Sequence, residues 1–232
     1  MDNSGRCEVK DEFSCGMGDA DGGRINWDGC SAFGFSCTCC GECCRGRIDI
    51  RMNIEDLWLM ARFMDLGDTA DLSQRGLIRE EPIEGGGLRY CMQFKQGWFK
   101  CCPFLENRLE DCGTLRGLCR LHPHTKPLVC LLAPLGREWD EHTGESQWFF
   151  QEPISGCPGV KSGAENYDPN AVIAELSGRL DRESHYYGVL AELQRMNAPD
   201  EVFREFHRME TRWSVDAHLE EWEIRLGIRT SG

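Results

Sequence analysis

The stretch FSCTCCGECCRG, Phe35 to Gly46, places five of the fifteen cysteines within twelve residues. Cys37, Cys40 and Cys43 fall at three-residue steps, and Cys44 follows Cys43 directly. A two-residue gap lets one tight turn aim two sulfurs at one centre. Thiolates hold zinc or iron in sets of four around an ion or a cluster. Cys39 falls out of step with this series. Adjacent cysteines are expected to point apart, so Cys43 and Cys44 read as serving two centres, or one of them as structural.

The remaining thiols must come from far along the chain. Cys102 and Cys157 each precede a proline, and Cys119 and Cys130 lie in CRLHPHTKPLVCLLAP. Cys37, Cys40, Cys43, Cys44, Cys102, Cys119, Cys130 and Cys157 together suffice for two four-thiolate sites, or for one site with neighbours. Cys39, Cys91, Cys101 and Cys112 are extras. Cys7, Cys15 and Cys30 read as ordinary thiols of the lead-in rather than as ligands. His122 and His124 could replace a thiolate at zinc, but a hydrogen-bonded loop role is favoured because the cysteines already suffice. His142, His185, His207 and His218 carry no site signal, and His207 reads as amphipathic surface.

A disulfide scaffold is the competing explanation for so many cysteines. It suits small secreted domains, whereas this chain has 232 residues and an odd number of thiols. The opening MDNSGRCEVKDEFSCG has neither a basic nor an apolar signal region, and no apolar run approaches the ~20 residues of a membrane span. These features predict a cytoplasmic protein whose thiols are reduced and available to metal. The net charge of -13 argues against nucleic acid, which needs clustered positive charge. It leaves room for a protein partner held by the acidic surface or by C-terminal helices. No membrane partner is expected.

Composition divides the chain into an acidic, Gly-rich lead-in (1–34), a cysteine-cluster segment (35–165) and C-terminal helices (166–232). The DADGG run in the lead-in lacks the ligand alternation of a calcium loop. RIDIRM alternates as a short strand. Asn53 then caps a helix with Leu57, Met60, Ala61 and Met64 on its apolar stripe, ending at Gly67. GGGLRYCMQF and GWFKCC read as strands, residues 101–136 as an irregular segment, and REWDEHTGESQWFFQE as a hairpin turning near Thr143-Gly144. Asp168-Pro169 caps the C-terminal region. Two helices are expected there, with a break near Ser214. The fold class is α+β: a small, irregular, metal-stabilised cysteine-rich domain with short strands, followed by a helical C-terminal tail.

These motifs resemble the YkgJ-like cysteine-cluster family, described as a CxxCxxCC zinc- or iron-chelating domain. Its opening Cys-x2-Cys-x2-Cys-Cys, basic residue and Gly match Cys37, Cys40, Cys43, Cys44, Arg45 and Gly46. Its Cys-Pro-Phe-Leu matches Cys102 to Leu105. Its next block matches Cys119 to Pro134 in spacing, although Lys126 stands where Arg is usual and Leu121-His122 replaces Ile-Tyr. A late Cys-Pro-Gly is similar to Cys157 to Gly159. The resemblance covers about Phe35 to Gln194.

It implies chelation of zinc or iron. An iron–sulfur cluster is slightly favoured, because the three stepped cysteines and the Cys-Pro pairs are similar to cluster-binding runs. Four thiolates around zinc would leave a charge near -2, which Arg45 and Arg47 could offset. Because the family includes a flagellin lysine N-methylase, the resemblance also raises a metal-dependent protein lysine methyltransferase as an alternative. No S-adenosylmethionine loop is recognisable, and no catalytic residue is assigned.

Overall fold

The computed structural model describes residues 24–27, 33–45, 49–96, 100–111, 113, 115–139, 146–160 and 166–228. In chain order the first elements are β1 (Ile25–Asn26), β2 (Phe33–Gly34), α1 (Glu42–Arg45), β3 (Arg51–Met52), α2 (Ile54–Phe63) and α3 (Asp71–Gln74). Then come β4 (Ile78–Pro82), β5 (Leu88–Met92), β6 (Leu105–Leu109), β7 (Leu115–Cys119), α4 (Leu128–Leu132), β8 (Leu135–Trp139) and β9 (Ser146–Phe150). The chain closes with β10 (Asn166–Tyr167), α5 (Pro169–Glu175), α6 (Ser177–Arg195), α7 (Asp200–His207) and α8 (Val215–Arg225). This mixture of helices and small sheets is α+β.

The chain divides into two compact units, one made of residues 1–38 and 133–172 and the other of 39–132 and 173–232. In the first, β8 and β9 form the expected hairpin, with Leu135 opposite Phe150 and Trp139 opposite Ser146. The turn itself lies outside the described residues. β1 adds to the free edge of β9, and β2 pairs with β10. Leu135 and Phe150 are buried. Edge-on contacts of Trp27 with Phe150, and of Phe35 with Tyr167, fill out an aromatic core.

The second unit centres on the antiparallel sheet β3-β5-β4. Asn53 begins α2 with a reciprocal cap: its Oδ1 accepts from the Asp56 N–H at 2.9 Å, and Asp56 Oδ2 accepts from the Asn53 N–H. The helix buries Ile54, Leu57, Met60 and Ala61 against the sheet residues Ile78, Tyr90 and Met92. It ends at Phe63, before Gly67, and Asp65 takes the left-handed position at φ 54. Gly85, Gly86 and Gly87 turn β4 into β5, all at positive φ. At Gly87 a Cβ would stand 2.5 Å from the Phe203 ring, so only glycine fits.

Several expectations are corrected. Lys100 to Cys102 form no strand, whereas residues within 101–136 form the β6-β7 hairpin and α4. Among the described residues, the C-terminal region holds four helices rather than two, and Ser214 caps the last of them. These helices are not a tail. Tyr186, Val189, Leu193, Phe203, Phe206, Leu219 and Trp222 share one core with α2, the sheet and Cys102, Phe104 and Leu121. His207 is buried, not on the surface. Its ring bonds the Tyr186 hydroxyl at 2.9 Å and the Phe203 carbonyl at 2.7 Å.

Candidate metal centre

Two glycines seat the first cysteine segment. Gly41 is buried at φ 76, and a Cβ on Gly117 would stand 2.4 Å from its Cα. The two backbones therefore touch, and the Gly117 N–H donates to the Cys39 carbonyl at 2.8 Å. From this anchor α1 starts: the Cys44 and Arg45 N–H groups both donate to the Gly41 carbonyl. Arg45 then ties α1 to the hairpin by donating to the Cys40 carbonyl, the Glu42 carboxylate and Asn107 Oδ1 on β6. Its guanidinium is thus held by three oxygens beside the cysteine segment. Arg47 lies outside the described residues.

The second and third segments meet the first through backbone bonds. The Cys102 N–H donates to the Cys44 carbonyl at 2.7 Å. Cys102 opens the turn into β6, and Cys119 ends β7 opposite Leu105. Cys130 rides on α4, whose first N–H, that of Leu128, donates to Asp56 Oδ1 at 2.9 Å. Asp56 also accepts from Arg179 Nη2, while Arg179 Nη1 donates to the Lys126 carbonyl at 2.9 Å. Arg182 pairs with Glu55 at 2.7 Å. A buried carboxylate-guanidinium clamp between α2 and α6 thus grips the chain on both sides of Pro127.

Five of the thiols, joined by Cys101 beside Cys102, share this neighbourhood. The Cys43 and Cys44 sulfurs lie 4.0 Å apart, so the adjacent pair points to one side, contrary to the expectation that they diverge. The Cys44 hydrogen bond draws the Cys43 thiol down to about 6, with help from the Lys126 charge. Cys44 is driven up by holding the shared proton, by burial and by the charges of Cys43, Cys102 and Cys130. Burial lifts Cys102 to about 11, and its neighbours Cys119, Cys101 and Cys43 add to the shift. Burial also raises Cys130, against the pull of Lys126. Thiols from three segments therefore resist carrying charge together without a cation.

Cys37 and Cys157 belong to the first unit, where Cys37 is exposed and Cys157 sits in a turn. Cys40 precedes α1 and contributes its carbonyl to Arg45. Cys91 on β5 hydrogen-bonds to Glu81, and burial pushes it up to about 11. His122 and His124 are exposed. Cys7, Cys15, Cys30, Cys112 and His142 lie outside the described residues. Among the described residues, no three Cys, His, Asp or Glu side chains are already gathered as a set able to hold a metal ion. The donor chemistry of the second unit fits a thiophilic metal, since all five neighbouring groups are thiols.

Sequence reading passed over Asp56 and Arg179, because a capping carboxylate and a helical arginine look like solvated surface. Lys126 was visible only as a departure from the family pattern. Away from the thiols, a cleft of about 420 Å³ opens between β4 and α7. Its Glu80 is satisfied in place by the Tyr90 hydroxyl and Arg204 Nε. Comparison with protein-family models, curated proteins and solved structures returns no match.

Proposed function

We propose that the chain is a metal-binding cysteine-cluster protein that holds zinc or iron, with an iron–sulfur cluster slightly favoured, through thiolates of the second unit. Cys43, Cys44, Cys102 and Cys130 are the central donors, with Cys119 as the fifth thiol of the group. The observation that carries this reading is the backbone bond that brings two cysteine-bearing segments together, the Cys102 N–H donating to the Cys44 carbonyl, beside the paired Cys43 and Cys44 sulfurs. Free thiols at Cys43, Cys44, Cys102, Cys119 and Cys130 support it, because disulfides would have consumed the donors. They also support a cytoplasmic location, where thiols stay reduced. No helix among the described residues is long and apolar enough to cross a membrane. Membership of the YkgJ-like family is part of the same proposal. A bound metal would supply the positive charge that these buried thiols lack, and it would tie the three segments together.

Purification without oxygen, followed by elemental analysis and a visible spectrum, tests this. A stoichiometric metal is expected. Broad absorption from sulfur to iron would identify a cluster, and a colourless zinc protein the alternative. Less than one metal per chain in the anaerobic protein would refute the reading.

A further inference from the structure

We propose that the outer edge of β6 is a self-association site, where a second copy of this chain adds its own β6 antiparallel about Asn107. The β6-β7 hairpin has two edges. The β7 edge is covered: the Gly117 N–H donates to the Cys39 carbonyl, and the Gly41 backbone lies against Gly117. Because Gly117 spends its N–H there, the Asn107-Gly117 pair carries no ladder bonds. Those bonds fall on Glu106 with Leu118 and on Arg108 with Arg116. The backbone groups of Leu105, Asn107 and Leu109 therefore point away from β7. The Leu105 N–H is taken by the Cys102 carbonyl at 3.1 Å. The Leu105 carbonyl, and both backbone groups of Asn107 and Leu109, have no partner among the described residues. The strand carries no proline, lysine or bulge, the usual devices that blunt an exposed edge.

The charge order of β6 selects a second copy as the occupant. Glu106 and Arg108 share one face of the strand, both exposed, and Arg108 Nη2 donates to Glu106 Oε1 at 3.1 Å. Antiparallel pairing about Asn107 sets each Glu106 opposite the partner's Arg108, at the positions where facing side chains come closest. Registers centred on Glu106 or on Arg108 would oppose like charges and present backbone groups already bonded to β7. In the Asn107 register the two Asn107 residues exchange N–H and carbonyl, and each Leu109 N–H reaches the partner's Leu105 carbonyl. Every free edge group except the Leu109 carbonyl is thereby used. Leu109, which is 69% exposed, falls opposite the partner's Leu105. The Asn107 side chain stays with Arg45. Two hairpins, each marginal as an isolated pair of strands, become one sheet of four.

Sedimentation velocity on the full chain, over a wide range of concentration and with a reductant present to exclude intermolecular disulfides, tests this. A reversible dimer is expected, and it should weaken as salt is raised. Arg108→Glu sets like charges opposite each other twice across the two-fold pair and should weaken the dimer at least about tenfold; Glu106→Arg should do the same. Combining the two substitutions restores opposite charges in the same register and should recover the dimer. Both positions are exposed, so the variants should keep the fold, which far-UV circular dichroism checks. A parent that is monomeric at every concentration overturns the proposal. So does a dimer indifferent to Arg108→Glu, because its contact would lie elsewhere on the molecule. A double variant that stays monomeric overturns it too. None of these outcomes touches the metal reading, since the β6 edge uses no thiol.

Discussion

The Cys43 and Cys44 sulfurs stand 4.0 Å apart on the single turn of α1. Four thiolates placed ~2.3 Å from a zinc ion at tetrahedral angles lie about 3.8 Å from one another. The adjacent pair therefore already spans close to one edge of such a site. Its cost is electrostatic: a hydrogen bond between the two sulfurs favours one thiolate and opposes a second beside it.

That hydrogen bond predicts a reactive thiolate in the metal-free protein. Cys43 should be alkylated by iodoacetamide with a midpoint near pH 6, because the Cys44 S–H stabilises its anion. Cys44→Ala removes the donor, so the midpoint should rise toward the ordinary thiol range. Site-resolved mass spectrometry across pH measures both. A midpoint unmoved by Cys44→Ala would show that the pair does not share a proton.

The contact of Gly41 with Gly117 predicts a second effect. A Cβ on Gly117 would fall 2.4 Å from the Gly41 Cα, where neither backbone can yield without moving the cysteine segment off β7. Gly117→Ala should destabilise the protein by about 1–3 kcal/mol, the range of overpacked cores. It should also weaken metal binding, by displacing α1 from Cys102. Gly113→Ala is the control for the hairpin, since nothing lies near that position, although its positive φ adds some strain. Urea denaturation compares them. Equal stability of Gly117→Ala and the parent would mean that the close approach is not needed.

How much of this was legible in the sequence depends on the range of the signal. The α2 cap, the Asp168-Pro169 start of α5 and the β8-β9 hairpin were readable because their cues are local. Asp168 Oδ1 indeed accepts from the Asn170 and Ala171 N–H groups. The β6-β7 hairpin was hidden, because its strand residues 106–109 and 115–116 are exposed and so lack an apolar alternation. His207 was misread for the opposite reason. A polar residue on a helix looks solvated unless its distant partner is known, and here the partner is Tyr186 on another helix. The cysteine spacing singled out Cys43 and Cys44 as neighbours in sequence, but spacing alone could not show that their sulfurs face the same way.

The buried clamp predicts an asymmetry between two changes at Asp56. Asp56→Ala leaves Arg179 with only its longer contact to Glu55, at 3.5 Å, and the Leu128 N–H without its acceptor, both within the interior. Breaking a buried pair in this way costs about 3–5 kcal/mol. Replacing both members, Asp56→Leu with Arg179→Met, should cost less than Asp56→Ala alone, because no unpaired charge remains. Thermal or urea unfolding of the three variants decides it. A double variant less stable than Asp56→Ala would mean that the clamp's role is not electrostatic.

Two buried groups predict opposing pH dependence in the same window. Burial lowers His207 from 6.5 to about 4. Between those values the unfolded chain takes up the extra proton, so this contribution is complete above pH 6.5 and is lost as pH falls toward 4. Its size is at most about 3 kcal/mol. Burial raises Asp56 from 3.8 to about 6, against the pull of Arg179. Here the folded state keeps the proton longer, so the contribution is complete below pH 3.8 and is lost as pH rises through 6, again by about 3 kcal/mol at most. In the parent the two should largely cancel between pH 4 and 6. His207→Gln should leave stability falling more steeply as pH rises through that window, and Asp56→Asn should leave it rising more steeply. Urea midpoints at half-unit steps of pH measure the slopes. Identical slopes in the two variants would rule out both assignments, because the two groups bind their protons in opposite states of the chain.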